Sequence, residues 1–456
     1  MPGSRQTSVS IARQTKLTHR LPRILMLQKS SRLANQQEGF PFVANDPCRS
    51  DACCEMLMNQ PLTASATPAM WQFVPLEQYA IPGDTQLNWV RKKRRALGRL
   101  LRSEQNEGPA RAETELRALP DIRLEHLVPP IDWAPAAPAL DQAIRNLDSG
   151  QAEVPAVRCV IGQPYGGHAT IVERWAADHS AVVLPAPPHD TILAKDDHWL
   201  ETHRPDREPW VVPALERWFL RHADGLAVVR RFLDRALSGD WGEGLIGCDS
   251  WAWTYLQRVL ALSAVPTLTL QAFDGRRLAR YFCQATCRDI EPRPRVCNAS
   301  TGRSVLPDEE ALAADDFEAS SELRQLAAHC RGNLGTAWKY WRTRLRAEGE
   351  AQADDEAASS GNVLWLANEL TEPILPAETG EETLLILHVL LLHNGLPAER
   401  LSDLLPMLRS QIGSNLLPLE ARGLVESNAG RWRVAALGYA AVRDLLRERQ
   451  YLTDPC

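Results

Sequence analysis

The apolar and polar positions of this chain change period several times. Val154–Ile161 (VPAVRCVI) is a short apolar run that ends in a glycine-rich turn. Ala169–Ala177 then has the spacing of a helix, and Ala181–Leu184 reads as a second strand. A polar loop rich in histidine and aspartate spans His189–Arg207, and Pro213–Leu237 returns to helical spacing with a break near Gly225. Gly244–Cys248 (GLIGC) reads as a third strand, followed by Asp249, Ser250 and the helical WAWTYLQRVLAL. Pro266–Phe273 (PTLTLQAF) is a fourth strand, and DGRRLARYF after it is helical. Strands alternating with helices imply βαβ units, so an α/β fold with a mostly parallel sheet is expected.

Outside this block the pattern differs. Asn88–Arg102 (NWVRKKRRALGRLLR) is a densely basic stretch with an apolar face, read as a solvated helical arm. Ser320–Arg346 is helical and basic, and 348–361 (EGEAQADDEAASSG) has a composition that cannot pack a core. Beyond it, helical segments at Glu382–Leu392, Pro397–Leu404 and Met407–Ala421 precede a hairpin, Gly423–Val434, with an Asn-Ala-Gly turn. Tyr439–Arg449 closes the chain as an amphipathic helix. Three helices, a hairpin and a last helix describe a winged helix-turn-helix. The expected organisation is a doubtful or mis-started segment at 1–69, a basic helical arm at 70–125 and an α/β domain at 126–300. A helical lid at 301–347, an acidic linker at 348–361 and the winged helix at 362–456 follow.

Composition changes this picture little. The chain has 456 residues, 44% hydrophobic, with a formal net charge of −6, so it has no general attraction for nucleic acid. Ten scattered cysteines without a small-domain framework suit reduced thiols in the cytoplasm. The excess of arginine over lysine reads as a bacterial coding bias. The apolar run Leu384–Leu392 is about half the length that spans a bilayer, so no membrane span is expected. Residues 1–37 are basic without an acidic residue, yet no signal-type apolar core follows. A disordered extension, or a start codon placed too early with the true start at Met70, is the plainer reading, and Cys48, Cys53 and Cys54 receive no role.

The chemistry concentrates between the first strand and its helix. Gly162-Gln-Pro-Tyr-Gly-Gly-His168-Ala-Thr170 matches the glycine spacing of a phosphate-binding loop, GxxxxGK[ST]. Such glycines let main-chain amides curl round an anion at a helix N-terminus. The side chains depart from the pattern: His168 stands where lysine bridges phosphates, Ala169 where a hydroxyl holds Mg²⁺, and Thr170 falls one position late. Asp249, at the end of an apolar strand, is the Walker-B-like carboxylate, but Ser250 follows where a catalytic glutamate is common. ATP or ADP, with Mg²⁺ near Asp249, are the expected ligands, bound through Gly162, Gly166, Gly167, His168 and Thr170. No residue is assigned as catalytic.

The loop, Asp249 and the segment LRQLA from Leu323 with RGNLGTAWKYW from Arg331 resemble an AAA+/STAND-type P-loop ATPase of the origin-recognition-like branch. The resemblance covers about Ile131–Arg449. It implies a P-loop NTPase-type parallel sheet, a helical lid and a C-terminal winged helix. It also implies a lid arginine that touches phosphate, with Arg331 the nearest match and Lys339 and Arg342 nearby. The missing lysine, hydroxyl and glutamate imply weak nucleotide binding and little hydrolysis, in a regulatory or scaffold protein that acts on a protein partner or on a second copy of itself.

Three rivals stand beside that reading: an active ATPase with non-standard residues, a winged-helix DNA-binding regulator and a purely structural adaptor. For DNA the candidates are Arg409 on the third helix and Arg431 and Arg433 on the hairpin. Acid and base are nearly balanced over Glu381–Cys456, which weakens that case. Cys283, Cys287 and Cys297 have irregular spacing for zinc, and the acidic and histidine residues of 189–206 lack an organised ligand pattern. Trp251 and Trp253 are expected in the core.

Overall fold

The structure, a computed structural model, describes residues 69–83, 110–149, 155–206, 208–262, 265–286, 294–314, 317–348, 363–368, 370, 372–377 and 379–454. The basic stretch Asn88–Arg102, Cys48, Cys53, Cys54, Cys287 and residues 349–361 lie outside this set.

Thirteen strands are present among the described residues. In chain order they are β1 (Phe73–Pro75), β2 (Leu116–Ala118), β3 (Val157–Gly162), β4 (Val182–Val183), β5 (Trp210–Val212), β6 (Gly244–Asp249) and β7 (Thr267–Leu270). There follow β8 (Arg295–Asn298), β9 (Leu345–Glu348), β10 (Val363–Leu366), β11 (Leu396–Pro397), β12 (Val425–Asn428) and β13 (Arg431–Val434). The main sheet has the order β1-β7-β3-β6-β5-β4, with β3 to β7 parallel and β1 antiparallel at the edge. The protein is therefore a mixed α/β fold with a mostly parallel central sheet and many helices. Every residue of β3 and β6 is buried, as expected of strands covered on both faces.

The strand order fixes where a ligand would bind. β3 connects through the helix His168–His179 to β4 on one side, whereas β6 connects through Ser250–Leu260 to β7 on the other. Neighbouring strands whose connections diverge open a crevice at their carboxyl ends. Those ends are Gly162 and Asp249, which pair in register.

Besides the helices His189–Ala194 and Asp197–Thr202, which stand where a polar loop was expected, two parts of the architecture differ from the sequence reading. β5 falls where the polar loop gave way to a supposed helix, so Asp249 ends the fourth parallel strand and not the third. Three residues between Pro209 and Pro213 are too few to show a strand period. Of Pro213–Leu237, only Ala227–Leu237 is α-helical, after a 3-10 turn at Leu215–Arg217. The second difference is a four-stranded sheet, β2-β9-β10-β8, that joins residues around the lid and linker to part of the expected N-terminal arm. The described parts of 70–125 contain β1, β2 and one α-helix, Asp121–Leu127. Their partners lie hundreds of residues away, so no local pattern marks them.

The lid segment forms helices Ser321–His329 and Leu334–Arg344, separated by Arg331 and Gly332 at φ 52° and 76°. The C-terminal module contains helices Glu381–Leu392, Ala398–Leu404 and Arg409–Ala421, the small sheet β11-β13-β12 and the helix Tyr439–Glu448. Ala429 and Gly430, at φ 49° and 78°, form the turn between β12 and β13, where paired positive φ values match the strand twist. Its core includes Ile192, Leu220 and Trp251 of the α/β domain, so the two pack as one body.

Candidate functional site

The glycine loop forms the bend between β3 and the helix His168–His179. Tyr165 and Gly167 take positive φ, 67° and 74°, and the Gly166 amide donates to the Gln163 carbonyl at 2.8 Å. Only glycine fits at 167: a Cβ there would lie 2.4 Å from the Trp133 ring. The first turn of the helix leaves main-chain amides without helical partners, in the place where an anion would be held. Thr170 is exposed on that turn.

Protein groups pack the loop from outside. Asn333 of the lid donates to Gln163 Oε1 at 3.1 Å and to the Pro164 carbonyl at 2.7 Å, and Gln163 Nε2 donates to the Tyr79 hydroxyl at 2.9 Å. Gly335 faces the Tyr165 carbonyl so closely that a Cβ would lie 2.1 Å from it. The Tyr165 hydroxyl donates to the Val434 carbonyl, and the Arg433 guanidinium stands 5.2 Å from its ring.

Beneath the loop runs a buried polar chain. His168 turns inward, with Nε2 3.3 Å from Glu216 Oε1. Glu216 Oε2 accepts from the Asp249 amide at 3.1 Å. Asp249 Oδ1 in turn accepts from the Trp251 amide at 2.9 Å and caps the helix Ser250–Leu260. Burial raises the proton affinity of Glu216, but His168, its hydrogen bond and main-chain donors outweigh this and hold the carboxyl below its ordinary value. Asp249 goes the other way: burial first, then the Glu216 charge, push it well above its ordinary value. Its Oδ2 is buried with no hydrogen-bond partner. Asp249 therefore holds its proton more tightly than an ordinary carboxyl does.

That state does not fit a magnesium ligand. The carboxyl is sealed, Ala169 offers no hydroxyl, and among the described residues no group of three or more His, Cys, Asp or Glu side chains could hold a metal.

The remaining sequence candidates fall as follows. Arg331 is half-buried at the lid break; burial, then the Arg443 charge, lower its proton affinity, and Asp454, Tyr439 and Tyr79 face it as well. Arg409 is exposed and pairs with Glu399. Arg431 donates to the Gly395 carbonyl at 2.6 Å, and Arg433 pairs with Glu426 at 2.6 Å. Arg433 and the loop are therefore brought together, whereas Arg431 is held at Gly395 and Arg409 stands apart. Trp251 and Trp253 are core residues. Cys283 and Cys297 are buried thiols, and residues of 189–201 form ion pairs with Arg231, Arg235 and Arg400.

Sequence reasoning missed Glu216, Tyr165, Asn333 and Asp454. Asp454 accepts from Ser250 Oγ at 3.0 Å and from Arg443 Nε at 2.9 Å, tying the chain end to the start of the helix after β6. Only Glu216 left a signal, an acid inside the apolar run PALERWFL.

No family model matches the chain, and no curated protein does either. Among solved structures it is similar to the ORC2 protein of Aeropyrum pernix, described as ADPNP and ADP complexes. Identity is 14%, over 69% of this chain and 93% of that one, with a TM-score of 0.27. It is also similar to a STAND protein with a tetratricopeptide repeat sensor from Pyrococcus horikoshii, at 10% identity and a TM-score of 0.26. That match covers 75% of this chain and 44% of the other. Agreement this loose carries no weight for fold or function. No helix among the described residues is long and apolar enough to cross a membrane.

Proposed function

We propose that this chain is a nucleotide-responsive regulatory or scaffold protein. Its α/β domain is a degenerate AAA+/STAND-like ATPase domain that binds ATP or ADP weakly and hydrolyses little or none. The lid and a C-terminal winged helix close over it and pass any rearrangement to a protein partner or a second copy of the chain. The observation that carries this reading is the position of Gly162–Thr170 at the divergent crevice between β3 and β6, while His168 points away from the crevice onto Glu216. Main-chain amides from Gly167 to Thr170 would meet phosphate oxygens, with Arg331 approaching from the lid. Without the lysine, binding would lack the charge that normally neutralises phosphates. The inward contacts of Arg431 and Arg433 speak against DNA binding in this arrangement.

Titration with ATP and ADP, with and without Mg²⁺, tests the reading by calorimetry or thermal shift. A ligand of the native state raises its stability with occupancy. A rise at about millimolar nucleotide, indifferent to Mg²⁺ and without phosphate release, is expected. Restoring the motif with His168→Lys and Ala169→Thr should tighten binding. No response in either chain leaves the adaptor reading; Mg²⁺-dependent phosphate release abolished by Asp249→Ala leaves the active ATPase.

A further inference from the structure

The C-terminal module meets the α/β domain through a histidine whose two ring nitrogens are both taken by main-chain atoms across the boundary. His393 follows the helix Glu381–Leu392 and is 1% exposed. Its Nδ1 lies 3.3 Å from the Glu216 carbonyl oxygen, and the Arg221 amide donates to Nε2 at 3.2 Å. A carbonyl only accepts and an amide only donates, so the ring is neutral with its proton on Nδ1. A second proton on Nε2 would face the Arg221 N–H, donor against donor. The Phe219 ring, 4.8 Å away, closes the site from the side.

The charged groups around it come from four elements. They are Glu216, Arg221 on the segment after it, His189 from the helix His189–Ala194, and Arg431 from β13. Burial first, with His189 and Arg431 against the Glu216 carbonyl and carboxylate, lowers His393 from 6.5 to about 3. One face of the same helix carries His388, lowered to about 4 by burial and Arg221, with Nε2 3.2 Å from the Leu452 carbonyl.

We propose that this contact is a proton-gated latch: docking of the C-terminal module on the α/β domain requires neutral His393, and protonation at Nε2 releases it. Release would separate the other boundary contacts too, among them Trp251 Nε1 to the Tyr439 hydroxyl at 3.0 Å, Arg400 to Asp190 at 2.7 Å, and Tyr165 to the hairpin. It would uncover the glycine loop and free Arg433. The latch is independent of nucleotide. A released His393 regains the ordinary value, so docking weakens about tenfold for each pH unit below about 6.5. Asp249 works in the opposite sense, because a carboxyl that meets water loses the burial that raises its proton affinity. His388 adds uptake of the same sign as His393. Both therefore have to be separated from His393 in any test.

Amide hydrogen exchange on the full chain does this without any nucleotide. The Arg221 amide reports the latch directly, and His393→Gln supplies a donor and an acceptor that do not titrate. Protection, corrected for intrinsic exchange, is compared between the two chains from about pH 7.5 down to about pH 5. Because Asp249 and His388 contribute equally to both, the ratio of wild-type to variant protection is expected to fall about tenfold per pH unit below about 6.5. Parallel profiles overturn the latch. If His393→Gln does not fold, imidazole nitrogen resonances of the wild type decide. A neutral Nδ1–H ring at about pH 5 in the docked protein supports the latch. A ring that charges near its ordinary value while Arg221 stays protected overturns it.

Discussion

Glu216, in the 3-10 turn after β5, and Asp249, at the end of the neighbouring β6, are 1% and 0% exposed. Their proton affinities nevertheless move in opposite directions. Glu216 has a partner on each oxygen, an imidazole on one and an amide on the other. Asp249 has a single amide and faces the Glu216 carboxylate. Burial penalises ionisation at both positions, and only the first has donors enough to overcome it. The comparison shows that an acidic residue at the end of an apolar strand is not by that position a metal ligand. Its function follows from how many donors the fold delivers and from the charge next door.

The largest effect should come from breaking the well-partnered side. Glu216→Ala strands the Asp249 amide and the His168 ring, and removing one partner of a buried pair costs about 3–5 kcal/mol. Urea denaturation would read this as a lower midpoint with an unchanged slope. A loss near zero would mean that the buried chain is not a unit. His168→Ala should cost less, about 1–3 kcal/mol, because Glu216 keeps its main-chain donors. Asp249→Ala removes a helix cap and should cost about 0.5–2 kcal/mol.

Asp249→Asn is the mildest and the most telling. Well below the unfolded value of 3.8, where the acid is protonated in both states, the change should stay under about 1 kcal/mol. A raised pKa in the folded state supplies stability that is complete below the unfolded value of 3.8 and is lost as pH rises toward the folded value. Wild type should therefore lose ground to Asp249→Asn as pH increases above about 4, by up to about 1.4 kcal/mol per unit. Equal pH profiles for the two chains would falsify the raised proton affinity of Asp249.

Much of this was legible in the residues themselves. The spacing of Gly162 and Gly167 between an apolar run and a helical one located the strand-loop-helix bend, because close backbone packing demands glycine locally. The Asn-Ala-Gly turn marked the C-terminal hairpin for a similar reason. β5 and the sheet β2-β9-β10-β8 were not legible, since runs of three or four residues carry no period and take their partners from far along the chain.

Side-chain direction was the other thing hidden. His168 reads as an outward substitute for lysine, and Arg431 and Arg433 read as outward contacts for phosphate. Each instead turns toward a group supplied from elsewhere: Glu216, 48 residues on, the Gly395 carbonyl, and Tyr165 on the loop itself. The amino-acid order alone settled what depends on neighbours in the chain, namely backbone bends, caps and helical faces. Which charges are buried, paired or protonated was decided by the tertiary structure, because electrostatic free energy depends on distance and dielectric surroundings that no local stretch of sequence contains.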